Sequence, residues 1–260
     1  MRLNRVLTVL VIVVTVLPYA GVSVGAQTPS EQNLSPRCFV IRVVDQDTGR
    51  GVPLVELRTT NLIRYYTDSH GVVAFLEPGL MDKDVFFHID TPGYEYPKDG
   101  FGNSGKRLKT TPGTEATIKL KRTNVAECLY RVTGQGIYRD SILAGRPVPL
   151  ENPAINGLVM GQDSVFTCLY RGRIFWLWGD TSRPAYPLGN FETSGAFSQI
   201  PGRGGLAPEV GVDLEYLVDE NEFSRPISPL AEPGLVWLDG LMTVNDDEGN
   251  QRMVARFARL

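Results

Sequence analysis

Histidine and cysteine are scarce in this sequence. It contains two histidines, His70 and His88, and three cysteines, Cys38, Cys128 and Cys168. A zinc site needs several Cys or His ligands at short spacings, and a Ser-His-Asp triad needs a histidine among suitable partners. The sequence has neither arrangement. It therefore predicts no metal site and no bound cofactor.

The sequence also lacks a surplus of positive charge and any uninterrupted helical stretch. It has 26 Lys and Arg residues against 29 Asp and Glu residues, a formal net charge of -3. No run of Lys or Arg occurs, which argues against nucleic acid as a partner. Its 27 glycines and 18 prolines interrupt almost every candidate helical window, so many short strands joined by turns are expected.

The N-terminus has the pattern of an export signal. Two arginines precede an apolar run over residues 6–17, and small residues follow at 24–26. This pattern predicts a signal peptide over residues 1–26, and an apolar run this short disfavours the alternative of an uncleaved anchor. The polar residues 27–36 are interpreted as a linker. The mature protein is expected to be secreted or periplasmic, with no membrane attachment after cleavage.

Export leaves two interpretations of the cysteines open. An oxidising compartment permits a disulfide between Cys38 and Cys128, which flank the first predicted β region. The alternative is three unpaired thiols, because an odd count does not enforce pairing. Cys168 lies inside an apolar strand, where a free cysteine behaves as a small hydrophobic residue.

Residues 37–122 read as a series of short strands. Strands are predicted over residues 38–45, 52–58, 63–67, 72–76, 85–89 and 114–121. The segment 91–114 is interpreted as a long loop. Strands of this length and spacing predict an antiparallel β-sandwich.

Two motifs in this region carry a resemblance. The pattern Val44-Asp45-x-x-Thr48-Gly49-x-Gly51-Val52-Pro53 is followed by Tyr66-Thr67-Asp68-Ser69-x-Gly71-x-Val73-x-Phe75. Together they resemble a carboxypeptidase-regulatory-like, transthyretin-like β-sandwich. The resemblance implies an accessory module that is not itself catalytic. Asp68 and His70 are accordingly interpreted as turn residues.

A hairpin near the middle of the second region is its sharpest feature. Residues 165–170 and 174–178 predict two strands joined at Arg171-Gly172, with apolar residues on both faces. The hairpin is therefore expected to be buried on both sides. Asp163 precedes the first strand and Asp180 follows the second. Because the two ends of a hairpin lie side by side, the sequence predicts two carboxylates at one rim.

The rest of the second region is less regular. Further strands are predicted over residues 127–133, 235–238, 241–244 and 253–257, with a polar turn at 245–250. The Gly- and Pro-rich segment 182–212 is interpreted as a long loop. Its Gly202-Arg203-Gly204-Gly205 run is not followed by Gly-Lys-Ser/Thr, so a phosphate cradle is not favoured.

Residues 161–165 and 176–181 resemble the opening blade of five-bladed β-propellers of the glycoside-hydrolase type. The resemblance implies that Asp163 lies in a sugar pocket as a general base. The predicted fold is thus all-β, with an N-terminal antiparallel β-sandwich (37–122) and a partial β-propeller-like region (123–260). A blade takes about forty residues. We therefore expect residues 123–260 to be the start of a truncated propeller; the competing interpretation is a small β domain that closes by another route or pairs with a second copy.

Two functions are compatible with the sequence. The first is an exported carbohydrate-binding or glycoside-hydrolase-like protein with an accessory sandwich, whose partner is a carbohydrate or cell-surface polymer. Asp163 would then be catalytic, with Asp180, Trp178 and Tyr186 binding substrate, although a tryptophan stripe on a strand also suits a core. The second is a non-catalytic envelope or adhesion protein built from β interaction modules.

Overall fold

The regular secondary structure of the described residues consists almost entirely of short strands, arranged in several small sheets. The structure, a computed structural model, describes residues 37–190, 193–230 and 234–259. The predicted signal peptide (1–26) and linker (27–36) lie outside the described residues. Within the described part of the chain, a single short α-helix accompanies the strands. These described residues belong to one compact unit.

The first region consists of two four-stranded sheets. Its strands are β1 (Phe39–Asp45), β2 (Glu56–Thr59), β3 (Arg64–Tyr66), β4 (Val72–Phe75), β5 (Asp84–Asp90), β6 (Tyr94–Glu95), β7 (Gly105–Lys109) and β8 (Glu115–Arg122). One sheet has the order β4-β1-β8-β6 and the other the order β3-β2-β5-β7. A 3-10 turn over Pro78–Leu80 precedes β5. Both sheets contribute to one hydrophobic core, for example Ile41 and Ile118 from the first and Leu57 and Phe87 from the second.

Three expectations for this region need correction. The central pair β1–β8 is parallel, not antiparallel. The first and last strands of the region thus lie side by side and run in the same direction. The predicted loop 91–114 contains β7, which pairs with β5 and buries Leu108 opposite Val85. The strand predicted from residue 52 begins only at Glu56, because the backbone at Leu54 turns through a positive φ of 58°.

Two glycines allow the backbone to cross itself closely beside β1. A Cβ atom on Gly51 would lie 1.9 Å from the carbonyl oxygen of His70. Gly71 has a φ of +71°, and its Cβ would lie 2.2 Å from the carbonyl oxygen of Val43. Only glycine fits, because it has no Cβ atom to clash at either position and because it takes the positive φ of Gly71 without strain. The crossing fixes the turn that carries His70 against the loop that follows β1.

The described residues of the second region form one helix and three sheets, of four, three and two strands. Its elements are α1 (Arg139–Leu143), β9 (Gly161–Gln162), β10 (Phe166–Tyr170), β11 (Arg173–Trp178), β12 (Thr181–Arg183), β13 (Tyr186–Asn190), β14 (Ser194–Ser198), β15 (Glu215–Tyr216), β16 (Val236–Asn245) and β17 (Gln251–Arg259). The sheets have the orders β10-β11-β14-β15, β13-β12-β9 and β16-β17.

The predicted hairpin is present as β10 and β11. Arg171 and Gly172 form its turn with φ values of 47° and 77°, and Phe166 lies opposite Leu177. The expectation of burial on both sides is correct for much of β11 but wrong for β10. Within β10, Phe166 is 37% exposed and Leu169 is 58% exposed. Both faces of this edge strand are therefore only partly covered by the rest of the chain.

Other expectations for the second region also change. No strand forms over 127–133, because the N–H groups of Cys128 and Arg131 donate to the side chains of Tyr94 and Ser69 instead of to a neighbouring strand. The predicted loop 182–212 includes β13 and β14, and the strands predicted at 235–238 and 241–244 are the single strand β16. Helix α1 was not expected, since five residues carry too little periodicity.

The three cysteines are all unpaired in the structure. Cys38 is buried, Cys168 is half-buried and Cys128 is exposed. The clasp between Cys38 and Cys128 therefore does not form. Among the described residues, no helix has the length and apolarity needed to cross a membrane.

Candidate functional site

Asp163 and Asp180 meet at one rim of the β10–β11 hairpin. The N–H of Gly179 donates to the carbonyl oxygen of Asp163 at 2.9 Å, and the N–H of Asp163 donates to the carbonyl oxygen of Asp180 at 3.3 Å. The N–H of Asp180 also donates to Oδ1 of Asp163 at 3.0 Å. The predicted side-by-side placement is confirmed. The same contacts show that one oxygen of Asp163 already holds the backbone of its neighbour.

Gly179 makes this close approach possible. A Cβ atom at this position would lie 2.6 Å from Oδ1 of Asp163 and 3.2 Å from Cβ of Ser164. Non-bonded contacts of a Cβ atom shorter than 3.0 Å are essentially never seen, so a side chain here would displace the Asp163 carboxylate. The glycine between Trp178 and Asp180 is therefore the local reason that the Asp163 carboxylate can fold over the end of β11.

Asp180 has a different environment from Asp163. Its Oδ1 is buried and accepts no hydrogen bond from the described residues. Burial, reinforced by the neighbouring Asp163 carboxylate, raises the pKa of Asp180. The Asp163 carboxylate thus accepts a backbone N–H, whereas burial disfavours the ionised form of Asp180.

A cavity of about 400 Å³ opens beside Asp163. It is lined by Arg131, Val132, Thr133, Gln162, Asp163, Ser164, Val165, Trp176 and Trp178. Of the four residues expected at the site, Asp163 and Trp178 contribute to this lining. Asp180 and Tyr186, although both described, lie outside it, and Tyr186 is 57% exposed at the start of β13.

Two stacked indoles form the aromatic wall of the cavity. The ring centroids of Trp176 and Trp178 lie 5.9 Å apart, with an angle of 8° between the planes. They stack because alternate residues of β11 point to the same face. Trp178 is only 3% exposed and packs on Tyr216, while Nε1 of Trp176 donates to Oγ of Ser198 at 2.8 Å. Trp178 therefore packs mainly against other protein side chains, whereas Trp176 is the less buried indole of the wall.

A network of polar side chains holds Gln162 in place beside the indoles. Nε2 of Gln162 donates to Oγ of Ser194 at 2.7 Å and to Oγ1 of Thr181 at 3.1 Å. The hydroxyl of Tyr216 donates to Oε1 of Gln162 at 2.8 Å. Burial raises the pKa of Tyr216, so this donor keeps its proton. Every group of the network has a partner, which makes it a rigid support.

A larger cavity of about 630 Å³ shares Trp176 with the first. Acidic, amide and aromatic side chains line it: Glu151, Asn152, Asn156, Asp213, Glu215, Trp176, Phe197 and Tyr216. Arg173 pairs with Glu215 and places its guanidinium 4.6 Å from the Phe197 ring centroid. Burial raises the pKa of Asp213, whose two oxygens accept the N–H of Glu151 at 3.3 Å.

Sequence reasoning missed the acids of this larger cavity. Glu151 and Asp213 lie in loops, and Glu215 begins a strand of two residues, so none of them belongs to a periodic pattern. The only signal was the clustering of Glu and Asp around an apolar Val212-x-Leu214 pair. Among the described residues, no group of three or more His, Cys, Asp or Glu side chains is arranged to hold a metal ion.

Comparison with known proteins adds no identity. No protein-family model, no curated protein and no solved structure matches this chain. The site is therefore interpreted from its own geometry.

Proposed function

We propose that this chain is an exported carbohydrate-binding protein whose ligand lies against Trp176. The observation that supports the proposal is the position of this ring, which lines both the cavity of about 400 Å³ and the cavity of about 630 Å³. A sugar offers an apolar C–H face to an aromatic ring and hydroxyl groups to surrounding polar side chains. Carboxylates, amides and the guanidinium groups of Arg131 and Arg173 accompany Trp176 in the two linings.

The geometry favours binding over hydrolysis in the cavity beside Asp163. Glycoside hydrolysis needs two carboxyl groups on opposite sides of the bond. Among the described residues that line this cavity, Asp163 is the only acid. Its Oδ1 also accepts the backbone N–H of Asp180. We assign Asp163 the role of a hydrogen-bond acceptor for sugar hydroxyls, with its second oxygen facing the ligand.

We also propose a fold for each of the two regions. Two four-stranded sheets around one core support a transthyretin-like sandwich over residues 37–122, acting as an accessory module. The antiparallel sheet β10-β11-β14-β15 supports a propeller-like blade in the second region. In this arrangement the carbohydrate site belongs to the blade and its loops.

The proposal is tested by screening the mature chain against immobilised glycans and titrating any positive glycan by tryptophan fluorescence. Trp176→Ala is expected to weaken binding by about tenfold or more, because it removes the shared wall. Trp237→Ala is the matched control, since this third tryptophan lies on β16 and lines neither cavity. Equal binding by wild type and Trp176→Ala, or no glycan bound at all, would contradict the proposal.

Asp163→Asn separates binding from catalysis. An amide oxygen can still accept the Asp180 N–H, so the hairpin end is preserved while the charge is lost. We expect binding to fall by a few fold and any glycan cleavage to be absent in both proteins. Cleavage by wild type that disappears in Asp163→Asn would make Asp163 a general base and the protein a hydrolase.

A non-catalytic envelope or adhesion role is the second candidate. Exposed apolar side chains on β16 and β17, such as Met242 and Phe257, favour an interaction surface. Under that proposal the glycan screen finds no ligand, and changes at Met242 or Phe257 weaken attachment to the cell envelope while Trp176→Ala does not.

A further inference from the structure

A third cavity lies where the first region meets the second. Its volume is about 430 Å³. Arg42 and Arg50 contribute from the first region, and Arg146, Tyr138 and Glu209 from the second. The proposed carbohydrate site uses none of these residues. The cavity therefore calls for a separate explanation.

Positive charge dominates its lining. Three half-buried arginines line the cavity against a single acid, Glu209. Arg50 is held by Glu127 at 3.1 Å and by the carbonyl oxygen of Glu209, and Arg146 is paired with Glu115.

Arg42 differs from the other two arginines. Its Nη2 donates to the carbonyl oxygen of Gly49 at 3.3 Å, and no carboxylate of the described residues pairs with it. Two guanidinium groups are thus anchored to carboxylates, whereas the third has no carboxylate partner in the described part of the chain.

His70 lies in the same cavity and is held firmly. Its backbone N–H donates to Oδ1 of Asp68 at 3.0 Å, and Nδ1 of its ring lies 3.3 Å from Oγ of Ser141. The ring packs edge-on against Tyr138, with the ring centroids 4.6 Å apart. Burial lowers the pKa of His70, Arg146 and Arg42 lower it further, and Asp68 opposes them. The pKa of the His70 imidazole therefore depends on the charges of Arg42 and Arg146.

We propose that this cavity binds an oxyanion group, a phosphate, sulfate or carboxylate, between Arg42 and Arg146 and beside His70. The planar guanidinium fork matches two oxygens of such a group, and its weak hydration favours a partly buried ion pair. The volume of about 430 Å³ leaves room for a small molecule that carries the group. The bound anion is the counter-charge for the Arg42 guanidinium.

Binding and His70 protonation are expected to be linked. A bound anion offsets the arginines that disfavour the imidazolium, so it raises the pKa of His70. By reciprocity, the anion binds more tightly as the pH falls through that pKa. The charged groups facing the imidazole in this linkage are Asp68, Arg42 and Arg146, with Arg50 and Glu209 in the same lining.

The two histidines provide the experiment. His88 lies in β5 of the other sheet of the first region and does not line the cavity, so it serves as an internal control. The imidazole resonances of the mature chain are titrated by NMR over pH in sodium sulfate and in sodium chloride at equal ionic strength. We expect sulfate to raise the pKa of His70 saturably and to leave His88 unchanged. Equal shifts at both histidines, or no saturation, would mean ionic screening only and would overturn the proposal.

Variants test the same site without relying on pH. Arg42→Gln is expected to weaken sulfate binding by about tenfold and Arg42→Lys by less, because lysine keeps the charge but not the fork. Arg64→Gln is the matched control, as this exposed arginine of β3 pairs with Glu56. Sulfate binding by Arg42→Gln that equals wild type, in a protein with an unchanged melting curve, would refute the site.

Acetate binding more tightly than sulfate would identify the group as a carboxylate, and the reverse would identify a tetrahedral oxyanion.

Discussion

The two regions of this chain use their apolar residues differently. In residues 37–122, two sheets enclose a continuous core in which Ile41, Leu57, Phe75 and Ile118 are completely buried. In residues 123–259, the corresponding cluster is small and is built around Val159, Trp178, Ala196, Leu214 and Tyr216. Many of the remaining aromatic and aliphatic side chains there line cavities or face solvent. We infer that the first region provides most of the stability, whereas the proposed carbohydrate site lies in the second region and the proposed anion site draws residues from both.

Buried polar contacts join the two regions. Oδ2 of Asp68 accepts the N–H of Ser141 at 2.6 Å, and Oδ1 of Asp140 accepts the N–H of Ala74 at 2.9 Å. Asp68 is therefore more than the turn residue expected from the sequence, since it also fixes the first turn of α1. The two regions are therefore joined by hydrogen bonds in both directions, because each contributes one carboxylate acceptor and one backbone donor.

The largest effect is expected from opening the core of the first region. Phe75 is completely buried and makes edge-to-face contacts with Tyr65 and Phe87. Phe75→Ala should lower the free energy of unfolding by about 3–5 kcal/mol through lost burial and a cavity. Leu169→Ala, on the exposed edge strand β10, should change it by less than about 0.5 kcal/mol. Urea denaturation measures both, and equal losses would contradict the difference in burial between Phe75 and Leu169.

The junction between the regions should come next. Asp68→Ala leaves the N–H groups of His70, Val72 and Ser141 without their acceptor. Unsatisfied buried donors of this kind should cost about 2–3 kcal/mol. Hydrogen exchange should show faster exchange at both the His70 turn and α1. Faster exchange at the turn alone would show that the regions are not coupled through Asp68.

The polar network of the second region should contribute less. Tyr216→Phe removes the donor to Oε1 of Gln162 and should cost about 1–2 kcal/mol. Tyr66→Phe is the matched change in the first region, where the hydroxyl contacts Glu56 at an exposed position, and it should cost less than about 0.5 kcal/mol. Thermal melting of both variants measures the difference. A larger loss for Tyr66→Phe would contradict the assigned burial of the network.

The smallest effect is expected at Asp180 and depends on pH. Because the pKa of Asp180 is raised in the folded protein, the folded state holds this proton more tightly than the unfolded state. Stability from this group is therefore present at acidic pH and is lost as the pH rises through the folded pKa. Asp180→Asn should be more stable than wild type at neutral pH, with the gain vanishing in acid. Chemical denaturation across the pH range measures this, and a gain that persists below the normal pKa of aspartate would show that the raised pKa is not its cause.

The local features of this protein could be read from its residues. Strands β1, β4, β5 and β8 and the hairpin β10–β11 follow from alternating apolar residues and from turns such as Arg171-Gly172, which depend on near neighbours only. The meeting of Asp163 and Asp180 could be predicted because a hairpin brings its own ends together. Strand β7 was missed because Leu108 is its only large apolar residue.

Tertiary structure alone decided the rest. The parallel pairing of β1 with β8, the exposure of β10 and the unpaired state of Cys38 and Cys128 depend on how residues far apart in the sequence are brought together. The cavities of about 630 Å³ and about 430 Å³, which the sequence does not predict, take many of their lining residues from loops. Loops have no apolar periodicity, so no local sequence pattern predicts that these residues lie close together. A chain's own sequence thus determines its strands and tight turns through short-range sterics and alternation, whereas sites built from distant loops exist only once the core has fixed the register of every sheet.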